Sequence, residues 1–127
     1  MTIKAVKKRI LHVDDDDDVR MTIKTILEKE GYEVVGAHLG KEALKTLEHE
    51  KFDLLLLDIM MPDISGWELF NLVKKSTPDI DVVILSIIKI DQEKINELKK
   101  LGLKDYIIKP FARQDLVSRI NKIILKT

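Results

Sequence analysis

The sequence contains no cysteine, and only three prolines and five glycines occur among its 127 residues. Without cysteine the chain can form neither disulfides nor zinc–thiolate sites, which fits a reducing compartment. Basic and acidic residues number 22 each, so no excess charge draws the chain to nucleic acid or to an anionic membrane surface. No apolar run approaches the ~18 residues of a membrane span, and no signal-peptide pattern is found. We therefore expect a soluble, cytoplasmic protein.

Short apolar runs and amphipathic stretches alternate five times along the chain. The run Leu54–Leu57 is too short for a typical helix and resembles a strand buried on both faces. Hydrophobic content of 45% is sufficient for one core, so we predict a single domain over residues 1–127. The alternation predicts an α/β fold, a doubly wound parallel sheet of five strands with helices on both faces. The predicted strands are 9–13, 33–37, 52–57, 81–86 and 105–108, and the predicted helices are 19–30, 40–50, 65–75, 91–101 and one around residues 116–124.

Polar residues stand where four of these strands end. Asp14 and Asp15 follow the first strand, Asp58 the third, Ser86 ends the fourth and Lys109 follows the fifth. If the strand order is 2-1-3-4-5, a common doubly wound arrangement, the first and third strands are neighbours and the three carboxylates meet. Carboxylate oxygens with room for water and phosphate suit Mg²⁺ better than a soft metal.

Other polar residues have simpler interpretations. The acidic run Asp16–Asp18 is favourable negative charge at a helix N-terminus. Ser65 and Glu68 have the spacing of a capping box, so a helix should begin there. His12 lies inside a strand, and we interpret it as a packed core residue rather than a metal ligand or a phosphohistidine.

The sequence resembles the receiver domains of response regulators over essentially its whole length. The matching pieces are Ile10–Asp15, Leu57–Pro62 with Gly66 beyond, Ser86 after an apolar strand, and Asp105–Phe111. No single piece is diagnostic, because acidic pairs and Lys-Pro are common. Four pieces in the right order, each at a strand end, are very specific.

The resemblance implies a function and a role for each site residue. Asp58 would accept a phosphoryl group from a phosphohistidine, forming an acyl phosphate. Asp15 would bind Mg²⁺ directly and Asp14 through water, with Asp58 and the backbone carbonyl of Met60 completing the protein ligands. Lys109 and Ser86 would each contact a phosphoryl oxygen, and the Lys109–Pro110 bond is commonly cis in such domains.

The resemblance also implies a switch and its partners. The Ser86 hydroxyl would be drawn toward the phosphoryl group, and Tyr106 would then rotate inward. This would change the surface of the fourth helix, fifth strand and fifth helix, roughly residues 91–126. The partners would be a sensor histidine kinase or phosphotransfer protein and a downstream target or output domain, and phosphorylation could drive homodimerisation. We expect no separate substrate to be turned over.

Two alternatives stay open from the residues alone. A phosphatase with an aspartyl nucleophile typically has a second acid two residues after the first, where this chain has Met60. A receiver-like interaction module that is never phosphorylated is the other alternative, and the intact set of Asp15, Asp58, Ser86 and Lys109 speaks against it.

Overall fold

Strands and helices alternate strictly along residues 6–125, the part of the chain that this computed structural model describes. The strands lie in one parallel sheet in the order β2-β1-β3-β4-β5, so the predicted doubly wound α/β fold is confirmed. The strands are β1 (Arg9–Val13), β2 (Glu33–Ala37), β3 (Leu54–Leu57), β4 (Asp81–Ser86) and β5 (Leu103–Ile108). The helices are α1 (Asp17–Lys29), α2 (Gly40–His49), α3 (Gly66–Ser76), α4 (Gln92–Lys100) and α5 (Arg113–Ile124).

Two hydrophobic cores, one on each face of the sheet, explain why β3 is apolar throughout. Successive side chains of a strand point to opposite faces, so Leu54 and Leu56 pack with helices α1 and α5, whereas Leu55 and Leu57 pack with α2, α3 and α4. All four leucines are fully buried. No helix within residues 6–125 is both long and apolar enough to cross a membrane.

Side-chain caps begin three of the helices. Asp16 precedes α1, and its carboxylate accepts from the amides of Asp18 (2.9 Å) and Val19 (3.2 Å). The Ser65 hydroxyl accepts from the Glu68 amide at 3.2 Å and starts α3. Asp91 caps α4 in the same way. The helix-terminal interpretation of the acidic run and the predicted start of α3 are therefore confirmed.

The predicted bounds of two strands were wrong by two residues. β3 begins at Leu54 rather than at residue 52, because its ladders to β1 and β4 begin at Leu54, which pairs with Ile10 and Asp81. β5 begins at Leu103 rather than at residue 105, because Leu103 pairs with Val82 beside an irregularity in the β4–β5 ladder. Both errors arise from tertiary contacts that the local pattern does not encode.

Candidate functional site

The two acidic strand ends meet because β1 and β3 are hydrogen-bonded neighbours. Val13 pairs with Leu57 in the parallel register, so Asp14 and Asp58 leave the sheet side by side. The Asp14 amide donates to the Ala37 carbonyl at 3.1 Å, and the Asp58 amide donates to the Val13 carbonyl at 3.0 Å. Asp14 is only 1% exposed and Asp58 only 7%. The strand pairing thus places two buried carboxylates at one edge of the sheet.

A third carboxylate, that of Asp15, completes an acidic cluster. One oxygen each from Asp14, Asp15 and Asp58 lie within 4.8 Å of one another, and Asp15 is the exposed member. Carboxylates this close repel unless a cation lies among them. The donors are all hard oxygens, which Mg²⁺ prefers, and the exposed side leaves room for water. The predicted convergence of three carboxylates is confirmed, and the donor set fits a hard divalent cation.

Lys109 brings an ammonium group into contact with the buried pair. Its Nζ lies 2.7 Å from Asp14 Oδ2 and 3.2 Å from Asp58 Oδ2. Its backbone amide donates to the Ser86 carbonyl at 2.9 Å, and the bond to Pro110 is cis, as the resemblance implied. Burial alone would lower the pKa of Lys109, but the hydrogen bond and charge of Asp14, reinforced by Asp58, hold that pKa above its usual value.

The environment of Asp58 sets its proton affinity through opposing effects. Burial raises the pKa of the Asp58 carboxyl above its usual range. The Met60 amide, which donates to Asp58 Oδ1 at 3.1 Å, and the Lys109 ammonium oppose that rise, while the charge of Asp14 adds to it. The Asp58 carboxylate is therefore poorly hydrated, and its negative charge is only partly neutralised by its neighbours.

Ser86 is the last residue of β4, and Tyr106 lies within the neighbouring strand β5. Ser86 is fully buried, and its hydroxyl accepts from the Ile88 amide at 3.2 Å. The Tyr106 hydroxyl donates to the Ile88 carbonyl, and its ring is only 5% exposed. The Tyr106 ring thus already points inward in this structure. That phosphorylation moves the ring stays a prediction.

Arg20 is a site residue that sequence reasoning missed. Its guanidinium donates to the backbone carbonyl of Asp14 at 2.6 Å and also bonds the Asp17 carboxylate. A Cβ on Gly36 of β2 would lie 3.3 Å from Arg20 Cδ, so glycine leaves room for the arginine stem. Arg20 therefore stabilises the loop that carries Asp14 and Asp15. Because its main partner is a backbone atom, no residue pattern in the sequence could have indicated it.

His12 is packed in the core, as predicted. It is 1% exposed, and neither ring nitrogen has a hydrogen-bond partner within residues 6–125. Its Nε2 lies 3.8 Å from Asp14 Oδ2, beneath the acidic cluster. Burial lowers the pKa of His12 to about 4, against the opposing charge of Asp14, so the ring is neutral at pH 7.

Fold and site together define a doubly wound α/β domain with an acidic pocket, closed by one lysine, at the carboxyl ends of its strands. The family model of the response regulator receiver domain matches residues 10–121. The chain therefore belongs to that family and is a receiver domain of two-component signal transduction.

Curated relatives place the same domain in longer proteins. The chain is 37% identical over 121 residues to the probable transcriptional regulator ycf27 of Cyanophora paradoxa, which covers 95% of this chain. It is 38% identical over 117 residues to the response regulator SaeR of Staphylococcus epidermidis, which covers 92% of it. The chain spans 50% of the length of each of these relatives.

Solved structures share the fold closely. A CheY-like receiver domain protein from Methanospirillum hungatei superposes with a TM-score of 0.84 at 37% identity, covering 92% of this chain and 93% of its own. The response regulator TrrA from Thermotoga maritima, in complex with Mg²⁺-BeF, gives 0.80 at 34% identity, covering 91% and 98%. Family membership and the intact acidic cluster favour the phosphoacceptor over an inert interaction module.

Proposed function

We propose that Asp58 is the phosphoacceptor of this receiver domain and that the donor is a phosphohistidine on a sensor histidine kinase or phosphotransfer protein. One observation carries the proposal: the Asp58 carboxylate is buried beside the Lys109 ammonium and within the acidic cluster. An ionised carboxylate with few solvent contacts is available as a nucleophile for an incoming electrophile.

The phosphoryl transfer needs no reactant other than Asp58 and the phosphohistidine. An Asp58 oxygen attacks phosphorus, the phosphorus–nitrogen bond of the donor breaks, and the imidazole keeps the electron pair. The product is an acyl phosphate on Asp58. Catalysis then consists of positioning and charge, with Lys109 contacting one phosphoryl oxygen and the Ser86 hydroxyl donating to another. Asp14 already orients Lys109 through the 2.7 Å contact.

Mg²⁺ is the cofactor that this chemistry requires. Asp15 would hold it directly, Asp14 through water, and Asp58 and the backbone carbonyl of Met60 would complete the protein ligands. Mg²⁺ bound there would offset the anionic charge that otherwise keeps a phosphoryl group away from Asp58. The all-oxygen donor set supports this assignment, as does the Mg²⁺-BeF complex of the neighbour from Thermotoga maritima.

The output of the domain follows from Ser86 and Tyr106. A phosphoryl group adds charge and acceptor oxygens that draw the Ser86 hydroxyl away from the Ile88 amide. The Tyr106 hydroxyl bonds the Ile88 carbonyl, so a shift of the same segment reaches the tyrosine. The surface altered would be that of α4, β5 and α5, which was predicted to end at residue 126, just outside the described residues.

Partners and context complete the proposal. A downstream protein target or an output domain would recognise the α4–β5–α5 surface, which could also form a phosphorylation-dependent homodimer. This domain itself would contact neither nucleic acid nor membrane, would act in the cytoplasm, and would form one domain over residues 1–127. It would promote its own phosphorylation and dephosphorylation without turning over a separate substrate.

Acetyl phosphate with Mg²⁺ tests the proposal. Intact-mass measurement should show a gain of about 80 Da, one HPO₃, and peptide mapping should place it on Asp58. The variant Asp58→Asn should show no gain. Asp53→Asn, which changes an exposed aspartate at the opposite end of β3, is the matched control and should be modified like the wild type.

Each other outcome identifies a different function. Steady release of product from an added phosphoester, lost in Asp58→Asn, would indicate an aspartyl phosphatase. A wild-type chain that is modified neither by acetyl phosphate nor by a phosphohistidine donor would be an interaction module. Equal modification of wild type and Asp58→Asn would move the phosphoacceptor to another residue.

A further inference from the structure

Helix α2 begins without a cap of its own. Leu39 occupies the N-cap position and offers no side-chain hydrogen bond. The first amides of the helix are bonded instead by Asp63, from the loop between β3 and α3. The Gly40 amide donates to Asp63 Oδ1 and the Lys41 amide to Asp63 Oδ2, both at 2.9 Å. A carboxylate from a distant loop thus satisfies two otherwise unpaired donors and faces the positive end of the helix dipole.

The same loop is closed tightly at its α3 end. The Gly66 amide donates to the Ile59 carbonyl at 2.8 Å. A Cβ on Gly66 would lie 2.3 Å from Ile59 Cα and 2.6 Å from the Asp58 carbonyl oxygen, so only glycine fits this approach. The two ends of the loop from Asp58 to Gly66 are therefore held against each other, while Asp63 bonds its middle to helix α2.

Met60, inside this loop, has little packing of its own. Its side chain is 53% exposed, so burial does not fix its position. Its backbone nevertheless matters, because the Met60 amide donates to Asp58 Oδ1 at 3.1 Å. Its carbonyl belongs to the Mg²⁺ ligands proposed above.

We propose that Asp63 is a positioning residue of the receiver site, which by clamping the β3–α3 loop to the N-terminus of α2 holds the Met60 backbone against Asp58. The expected effect on Mg²⁺ affinity rests on the proposed function. The expected effect on the loop rests on the observed contacts alone. Contact at the clamp is close: a Cβ on Gly40 would lie 3.2 Å from Ile64 Cβ. Four backbone amides outweigh the small cost of burial and hold the pKa of Asp63 below its usual value, so the clamp is charged at neutral pH.

The test separates clamping of the loop from capping of the helix. Asp63→Ala removes both. Adding Leu39→Ser returns a cap to α2 from the N-cap position itself, whose backbone is already extended (φ −135°, ψ 150°), but does not reattach the loop. Leu39→Ser alone shows the effect of the serine. Asp91→Ala removes the side-chain cap of a different helix, α4, and is the matched control.

Two measurements are made on all variants. Calorimetric titration with Mg²⁺ should show affinity about tenfold weaker in Asp63→Ala, the usual cost of losing a group that supports a metal ligand. The double variant Leu39→Ser/Asp63→Ala should recover the urea midpoint yet keep the weak Mg²⁺ affinity. Hydrogen exchange without metal should show the Met60 amide exchanging faster in both, with the α2 amides protected again in the double variant.

The outcomes that overturn the proposal are distinct from those that overturn the function. Wild-type Mg²⁺ affinity and Met60 exchange in Asp63→Ala, or their full recovery in the double variant, would reduce Asp63 to a helix cap. Failure of the wild type itself to bind Mg²⁺ would refute the metal site, and the exchange of the Met60 amide would still decide whether Asp63 clamps the loop. Asp91→Ala should change neither measurement by more than about twofold.

Discussion

The two ends of the sheet both gather charged side chains, and they treat them differently. At the amino ends of the strands, the Arg9 guanidinium bonds Glu33, lies 2.7 Å from Glu50 Oε1, and donates to the Lys51 carbonyl at 2.9 Å. Its carboxylate partners are nearly half exposed, with 49% and 45% of their side chains accessible. Arg9, Glu33 and Glu50 thus each have both a charged partner and contact with water.

At the carboxyl ends two acidic side chains are withdrawn from water and share the Lys109 ammonium group. The side chains of Asp14 and Asp58 are 1% and 9% exposed, and both contact Lys109. Buried charges are costly unless they are fully paired, so the negative charge at this end of the sheet is incompletely neutralised. The comparison teaches that the function lies where burial leaves charges incompletely satisfied, rather than where charged groups are most numerous.

The largest expected effect is the loss of Lys109 from the site. Lys109→Met leaves two buried carboxylates without their cation, and removing one partner of a buried pair costs about 3 kcal/mol of unfolding free energy. Urea unfolding at pH 7 in EDTA measures it. Lys104→Met, at a 40% exposed side chain 3.9 Å from Asp81, should cost about 0.5 kcal/mol or less. Equal losses in the two variants would remove the distinction between the two environments.

A pH effect of comparable size comes from His12, beneath the same carboxylates. Its pKa is 6.5 in the unfolded chain and about 4 in the folded one, so the unfolded state binds more protons between those values. Stability therefore falls as the pH drops from 6.5 toward 4, by about 3 kcal/mol in all.

The variant His12→Leu should flatten this part of the stability profile, measured by urea unfolding in EDTA. His38→Gln, at a 57% exposed side chain, is the control and should keep the wild-type slope. A His12→Leu profile as steep as that of the wild type would assign the acid sensitivity to other groups.

The sequence was sufficient for the fold class and, once a strand order was assumed, for the convergence of the carboxylates, for physical reasons. Apolar runs that end in polar residues identify buried parallel strands, and parallel strands deliver their carboxyl ends to one edge. Asp14, Asp15 and Asp58 could therefore be predicted to converge, whereas the place of Lys109 beside them came from the resemblance to receiver domains. The convergence needed an assumed strand order, which the residues alone did not determine.

The contacts that were missed have backbone atoms as partners. Arg20 bonds the Asp14 carbonyl, and Asp63 bonds the amides that begin α2. Any residue can supply such a carbonyl or amide, so no spacing in the sequence marks these pairs. The inward position of the Tyr106 ring was missed as an existing state for a related reason, because a side-chain rotamer depends on the tertiary surroundings.

A smaller effect is expected at the amino end, although Arg9 makes more bonds than Lys109. Arg9→Met should cost about 1 kcal/mol, because exposed ion pairs and an exposed cation–π contact each contribute little. Thermal or urea unfolding beside Lys109→Met measures the contrast. A loss at Arg9 that equals or exceeds the loss at Lys109 would show that bond number outweighs burial in this protein.

An effect of similar size but opposite sign is expected at Asp58. Burial raises the folded-state pKa of Asp58 above the ordinary 3.8, so the folded state binds a proton more tightly and loses stability as the pH rises through that interval. At pH 7 the ionised carboxylate is a net cost. Asp58→Asn should therefore stabilise the metal-free protein by about 1 kcal/mol, since Lys109 keeps its 2.7 Å contact with Asp14.

The matched neutralisation at the other end of the sheet is Glu33→Gln, which removes an exposed and paired carboxylate. It should leave the free energy of unfolding unchanged or lower it by about 0.5 kcal/mol, because the Glu33 charge is already balanced by Arg9. Urea unfolding of both variants in EDTA, at pH 7 and again at pH 4, measures the difference. Stabilisation at Glu33 but not at Asp58 would reverse the comparison, because it would place the unsatisfied negative charge at the end of the sheet opposite the site.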